Sequence, residues 1–204
     1  MIRVVAITDR ALCSIDDMLA RARVIASPDV RFQIREKTLD GGPLLAFARA
    51  LLAIARPAGA EVWLNDRVDV ALAAGVDGVQ LPEHGLAIAD ARALGAKAVG
   101  CSRHSSTGAR EAAASGADIV QLGPIFATPS KQGILEPLGV DALELRLGVP
   151  LVAVGGIDSP ERARDAARGG ADAVAVIRAA WTTEDPAATI AALAAAVKSA
   201  RSGS

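Results

Sequence analysis

Tyrosine is absent from this sequence, and three phenylalanines and two tryptophans in 204 residues leave almost nothing for nucleic-acid bases to stack on. Charge of one sign is lacking too. Twenty-two basic residues face 23 acidic ones for a net charge of −1, without a Lys/Arg block, so no nucleic-acid partner is expected. Cysteine is scarce: Cys13 and Cys101 stand far apart with no C-x-x-C partner, which speaks against a structural zinc or a disulfide framework. No apolar run approaches the roughly 18 residues of a membrane span, and the one in MIRVVAITDR is too short for a signal peptide. These absences predict a cytoplasmic protein with no membrane partner. What is present, 51% apolar and 22% charged residues, belongs to a folded chain. The length predicts a single domain over 1–204 that needs no covalent staple, with a frayed tail at about 201–204.

Short apolar runs alternate with alanine-rich stretches of helical period along the whole chain. The runs lie at 4–7, 31–34, 62–64, 78–81, 98–101, 119–122, 151–154 and 173–177. Helices are expected at about 14–24, 43–55, 68–74, 88–94, 107–115, 140–147, 160–169 and 186–200, with Ser14 as the first N-cap and Gly75, Gly95 and Gly116 as stops. The runs are apolar on consecutive residues, as in strands buried on both faces. Eight strand–helix units in so short a chain predict an α/β fold, a closed (β/α)8 TIM barrel rather than an open doubly wound sheet.

Such a barrel places its chemistry at the C-terminal strand ends, where the loops converge on one mouth. Those ends read Thr8-Asp9, Arg35-Glu36-Lys37, Asn65-Asp66, Gln80, Ser102 with His104 nearby, Gly123-Pro124, Gly155-Gly156 and Ile177-Arg178. Groups able to bind or transfer charge crowd these ends more than the strand starts, which points to an enzyme.

Gly155-Gly156 before a helix lets backbone N–H groups approach an anion, after the strand where barrels often bind phosphate; a tight turn at positive φ is the plainer use of such a pair. Arg178 either adds a cation there or reaches into solvent. Arg35 and Lys37 alternate along extended chain and share a face, with Glu36 on the other, an arrangement that suits a diphosphate. A long loop opening at Thr128 carries Lys131, either a third cation closing over the mouth or a solvated lysine. Asp66 is a candidate Mg²⁺ carboxylate, or an N-cap for the helix that follows. His104 sits where a general acid or base is useful, and equally where a histidine simply hydrogen-bonds; His84 reads as solvated.

Several of these stretches belong together. Gln33-Ile34-Arg35-Glu36-Lys37, Leu64-Asn65-Asp66-Arg67-Val68-Asp69, Gly100-Cys101-Ser102-Arg103-His104, Leu122-Gly123-Pro124-Ile125-Phe126-Ala127-Thr128-Pro129-Ser130-Lys131 and Val154-Gly155-Gly156-Ile157, in that order, resemble the thiamin phosphate synthase family and its relative TenI, the thiazole tautomerase. The resemblance spans about residues 3 to 180. It implies a transferase that joins hydroxymethylpyrimidine diphosphate to thiazole phosphate through a new C–N bond, releasing diphosphate. The thiazole phosphate would rest on Gly155, Gly156 and Ile177, with Arg178 where the synthase carries serine. The diphosphate would rest on Arg35, Lys37, Asn65, Ser102 and Lys131, with Thr128 also at the substrate. Arg35, Lys131 and His104 would be the catalytic residues, and Mg²⁺ would sit on Asp66 and a second aspartate. That aspartate's motif, ordinarily Gly-Gln-x-Asp, reads Pro82-Glu83-His84-Gly85 here, so Gly85 offers no ligand and Glu83 is the candidate replacement. This wording is closer to the tautomerase, which needs no metal and in which a histidine matching His104 moves protons to aromatise carboxythiazole phosphate. A third reading is a silent barrel that senses a phosphorylated thiazole. Partners would be small phosphorylated molecules, and the family's habit implies a homodimer.

Overall fold

The computed structural model describes residues 1–128 and 136–202. In chain order they form β1 (Val4–Ile7), α1 (Ile15–Ile25), β2 (Val30–Ile34), α2 (Gly41–Ala55), β3 (Glu61–Asn65), α3 (Val68–Ala74), β4 (Gly78–Leu81) and α4 (Ile88–Ala93). There follow β5 (Val99–Arg103), α5 (Ser106–Ala114), β6 (Ile119–Leu122), β7 (Leu151–Val154), α6 (Pro160–Arg168), β8 (Ala173–Val176), α7 (Arg178–Trp181) and α8 (Pro186–Ser202). Every strand pairs in parallel with its neighbours and β8 returns to β1, closing the expected (β/α)8 barrel.

Closure fixes which side chains face inward. Along β1, Val5 and Ile7 join the inner cluster with Trp63, Val152 and Ala175, while Val4 and Ala6 pack outward under the helices. Both sets are buried, which is why the strands read as continuous apolar runs. Three turns share one closing device, Gly-x-Asp. Gly75, Gly116 and Gly170 leave their helices at positive φ. Two residues on, Asp77, Asp118 and Asp172 accept an N–H at the start of the preceding strand, from Val62, Val99 and Leu151, at 2.7 to 2.9 Å. The pole opposite the mouth is closed by Arg31, which pairs with Glu61 at 2.7 Å and lies 4.1 Å from the Trp63 ring centroid.

Three expectations are corrected. The helix expected at 140–147 is only the 3₁₀ turn Val140–Leu143; Gly169 and Gly170 lie against Val140 and Leu143, and this contact takes up the segment that a longer helix would need. The eighth strand stops at Val176, and α7, too short to show a period, follows it. Its Trp181 is buried and donates from Nε1 to the Ile7 carbonyl at 2.6 Å, tying the last strand's loop to β1. The final helix continues to Ser202, so Arg201 lies within it and pairs with Asp172 at 2.7 Å. Among the described residues no helix is long and apolar enough to cross a membrane.

Candidate active site

Beneath the mouth the barrel interior turns from apolar to amide. Gln33, Gln80 and Gln121 are buried, and Gln121 Nε2 donates to Gln33 Oε1 at 2.5 Å. Gln33 Nε2 reaches Asn65 Oδ1 at 3.4 Å, and Gln80 Nε2 donates to Ser102 Oγ at 3.0 Å. Because Ser102 Oγ accepts from Gln80, its own O–H is left to donate into the mouth. Gly100 makes this possible, since a side chain there would strike the Gln80 amide.

The ends of β2 to β5 carry charged and polar side chains. Thr8 is buried at the end of β1, where its hydroxyl accepts the Arg35 N–H at 2.9 Å; this fixes the chain that presents half-buried Arg35 and exposed Lys37. Asp66 has φ 68, a left-handed conformation that an aspartate tolerates at a cost of about 1 kcal/mol. It does not cap α3: the N-cap is Arg67, without a side-chain cap bond, and the carboxylate is exposed at the rim. Gly85 lies beside it, where a Cβ would stand 3.2 Å from Asp66 Oδ1 but only 2.7 Å from the Pro82 ring.

Glu83 turns to His104. Its Oε2 lies 2.8 Å from His104 Nδ1 and its Oε1 accepts the His104 N–H at 3.4 Å. Burial pulls the Glu83 carboxyl up, but the His104 ring, the His104 N–H and His84 together more than offset this and hold it below the usual glutamate range. An ionised Glu83 makes Nδ1 the proton-bearing nitrogen and leaves Nε2 for other chemistry. Among the described residues no group of three or more His, Cys, Asp or Glu side chains is disposed to hold a metal. Asp66 alone fits a Mg²⁺ that keeps most of its oxygen ligands from phosphate and water.

The opposite half of the mouth is backbone. Gly155 and Gly156 have φ 100 and 69. A Cβ on Gly155 would meet Pro124 at 2.7 Å, and one on Gly156 would meet the Ala127 carbonyl at 2.6 Å. The loop after β6 runs alongside, with the Ile125 and Phe126 N–H groups donating to the Val154 and Gly155 carbonyls at 2.9 and 3.1 Å. The N–H groups of Gly155, Gly156 and Ile157 find no acceptor among the described residues, so three neighbouring donors are available to an anion. Arg162 of α6 lies over the Phe126 ring and donates to the Gly156 carbonyl at 2.7 Å, clamping the turn.

Arg35, Lys37, Asn65, Asp66, Ser102 and His104 thus occupy the ends of β2, β3 and β5, with Gly155, Gly156 and Ile177 across the mouth. Arg178 is exposed as the first residue of α7. Thr128 closes the described part of its loop, and Lys131 lies outside the described residues. The amide layer, Arg162 and the Glu83–His104 contact were not legible as site features in the sequence. The first has a trace there, since a glutamine at matching positions of three apolar strands is unusual for a barrel interior.

Residues 4–180 match the family described as thiamine monophosphate synthase. The thiamine-phosphate synthase of Methanoculleus marisnigri is 45% identical over 166 residues, 79% of this chain and 78% of that protein. That of Chloroflexus aurantiacus is 40% identical over 157 residues, 75% and 72% of the two chains. Among solved structures, the thiamine phosphate pyrophosphorylase from Pyrococcus furiosus superposes with a TM-score of 0.84 at 29% identity, covering 98% of this chain and 96% of that one. With most of its length matched in sequence and in fold, the chain belongs to the thiamine monophosphate synthase family.

Proposed function

We propose that this chain is a thiamin phosphate synthase, a transferase that joins the pyrimidine methylene of hydroxymethylpyrimidine diphosphate to the ring nitrogen of thiazole phosphate. The C–O bond to the diphosphate breaks, a C–N bond forms at the same carbon, and diphosphate leaves. The observation that carries this reading is the division of one mouth into a cationic side-chain half and a half of free backbone donors, room for two different phosphorylated groups. Arg35, Lys37, Asn65 and Ser102 hold the diphosphate and stabilise the charge that grows on it; Thr128 is also assigned to the substrate, and Lys131, outside the described residues, is assigned as a third cation. The N–H groups of Gly155 and Gly156 hold the thiazole phosphate, with Ile177 beside them and Arg178 as an outer cation. Asp66 would hold Mg²⁺ arriving with the diphosphate, and that ion supplies further positive charge against the leaving oxygens. Holding both rings in one site supplies the rest, by proximity.

The test is direct. Purified protein with Mg²⁺ and both substrates should yield thiamin phosphate and diphosphate in equal amounts. No product at high enzyme concentration overturns the reading.

One observation favours a second activity. The Glu83–His104 pair, beside a Gly85 that has no carboxylate, is suited to moving a proton on a bound ring rather than to holding a metal. The tautomerase reading predicts isomerisation of carboxythiazole phosphate that His104→Ala abolishes; an unchanged rate in that variant ends it. A sensor would bind both phosphorylated molecules and turn over neither.

A further inference from the structure

Glu36 stands between two mouth cations in sequence, yet its side chain packs against the loop that leaves β1. β2 ends at Ile34 and the chain turns at residues 37 and 38, the Leu39 N–H reaching the Glu36 carbonyl at 3.5 Å. The Glu36 carboxylate is 5% exposed. Oε2 accepts the Arg10 N–H at 3.2 Å and lies 3.6 Å from Arg10 Nε. Oε1 is buried with no hydrogen-bond partner. Arg10 also donates from Nη2 to Thr38 Oγ1 at 3.2 Å, and Thr8 accepts the Arg35 N–H. Residues 35, 36 and 38 are therefore each tied to the β1 side.

Fold stability does not explain this carboxylate. Burial pushes the Glu36 carboxyl up and Asp9 adds to the effect, against the Thr8 hydroxyl and Arg10, so the ionised form costs the folded chain free energy. A glutamine would fill the same volume and still accept the Arg10 N–H. The segment has a different need. Arg35 and Lys37, two residues apart in the chain, repel each other until an anion arrives, and the fixed negative charge between them in sequence offsets part of that repulsion.

We propose that Glu36 is a positioning residue of the diphosphate subsite. Gripped by Arg10 across β1 and β2, it fixes the direction of the segment 35–38, so that Arg35 and Lys37 address the same anion. This rests on the diphosphate reading above and assigns the subsite a support outside the mouth. Such support has to be close, because a displacement of about 1 Å in a binding group can remove much of its effect.

The experiment titrates inorganic pyrophosphate with Mg²⁺ into the full chain by calorimetry. Glu36→Gln should weaken pyrophosphate about tenfold while KM for the thiazole phosphate stays within twofold. Its Tm should equal or exceed that of the unmodified chain, which a merely structural role does not predict. In an Arg35→Ala background the same substitution should weaken pyrophosphate by less than about twofold, since the residue through which Glu36 acts is gone. Arg10→Met keeps the backbone N–H bond but removes the side-chain contacts to Glu36 and Thr38, and should weaken pyrophosphate more than about twofold, which keeps the test open if Glu36→Gln does not fold. Pyrophosphate binding within twofold of the unmodified chain in both variants overturns the proposal. So does an equal loss in both backgrounds, or an equal loss at both subsites. An unmodified chain that does not bind pyrophosphate overturns the diphosphate reading itself, and this proposal with it.

Discussion

The two halves of the mouth are made of different material. From β2 to β5 the site is side chains on strand ends, propped by amides below and by Thr8 behind. From β6 to β8 it is backbone, folded so closely that neither Gly155 nor Gly156 has room for a methyl group. A side-chain half can change one residue at a time without moving the chain path; there Glu83, on the loop after β4, meets His104 at 2.8 Å. A backbone half has no such freedom, because its donors belong to the chain path itself. Substitution can therefore alter the contacts on one side while the donors on the other stay fixed by the chain path.

The largest expected effect is on the rigid half. Gly156→Ala forces a side chain into φ 69 and against the Ala127 carbonyl. We expect a loss of about 100-fold in kcat/KM for the thiazole phosphate, with pyrophosphate affinity unchanged by calorimetry. A comparable loss in both measurements would show that the halves are not independent. Arg35→Ala should do the converse. Pyrophosphate should weaken about 10- to 100-fold, the usual worth of a charged hydrogen bond, and KM for thiazole phosphate should hold.

The corner at Gly85 allows a gain of function. Gly85→Asp alone meets the Pro82 ring and should lower Tm, whereas Pro82→Gly with Gly85→Asp places a second carboxylate beside Asp66. The double variant should reach half-maximal rate at about fivefold less Mg²⁺. An unchanged Mg²⁺ dependence would mean that Asp66 is not where the ion sits.

The smallest effect lies outside the mouth. Arg67 pairs with Asp69 at 2.6 Å, holding the exposed carboxyl below the usual range. A depressed carboxyl pKa stabilises the fold above its unfolded value, and that contribution disappears as pH falls through the folded one. Asp69→Asn should therefore cost under about 1 kcal/mol near pH 7 in denaturant unfolding, and nothing in strong acid.

Much of the barrel was legible because its strands are short, buried on both faces and separated by glycine stops such as Gly75 and Gly116. Positions where neighbours overrule local pattern were not. The 3₁₀ turn Val140–Leu143 is shortened by packing against Gly169 and Gly170, and α7 exists because Trp181 reaches Ile7. At the site, the extended alternation expected across Arg35 and Lys37 does not hold, because β2 ends at Ile34 and residues 37 and 38 form a turn. Asp66, readable either as a cap or as a ligand, proved to cap nothing. The partner of His104 was hidden, since Glu83 lies on another strand's loop and only the pairing of β4 with β5 brings the two within 2.8 Å.

Composition and periodicity by themselves determined that this chain closes eight parallel strands and gathers cations and glycines at one pole, because burial and alternation act on near neighbours in sequence. Only the tertiary structure decided which groups meet. Among the described residues it left three backbone N–H groups beside β7 without an acceptor, gave Glu83 to His104, and buried the Glu36 carboxylate against Arg10. Each of these depends on distances between strands, and such distances exist only once the barrel has closed.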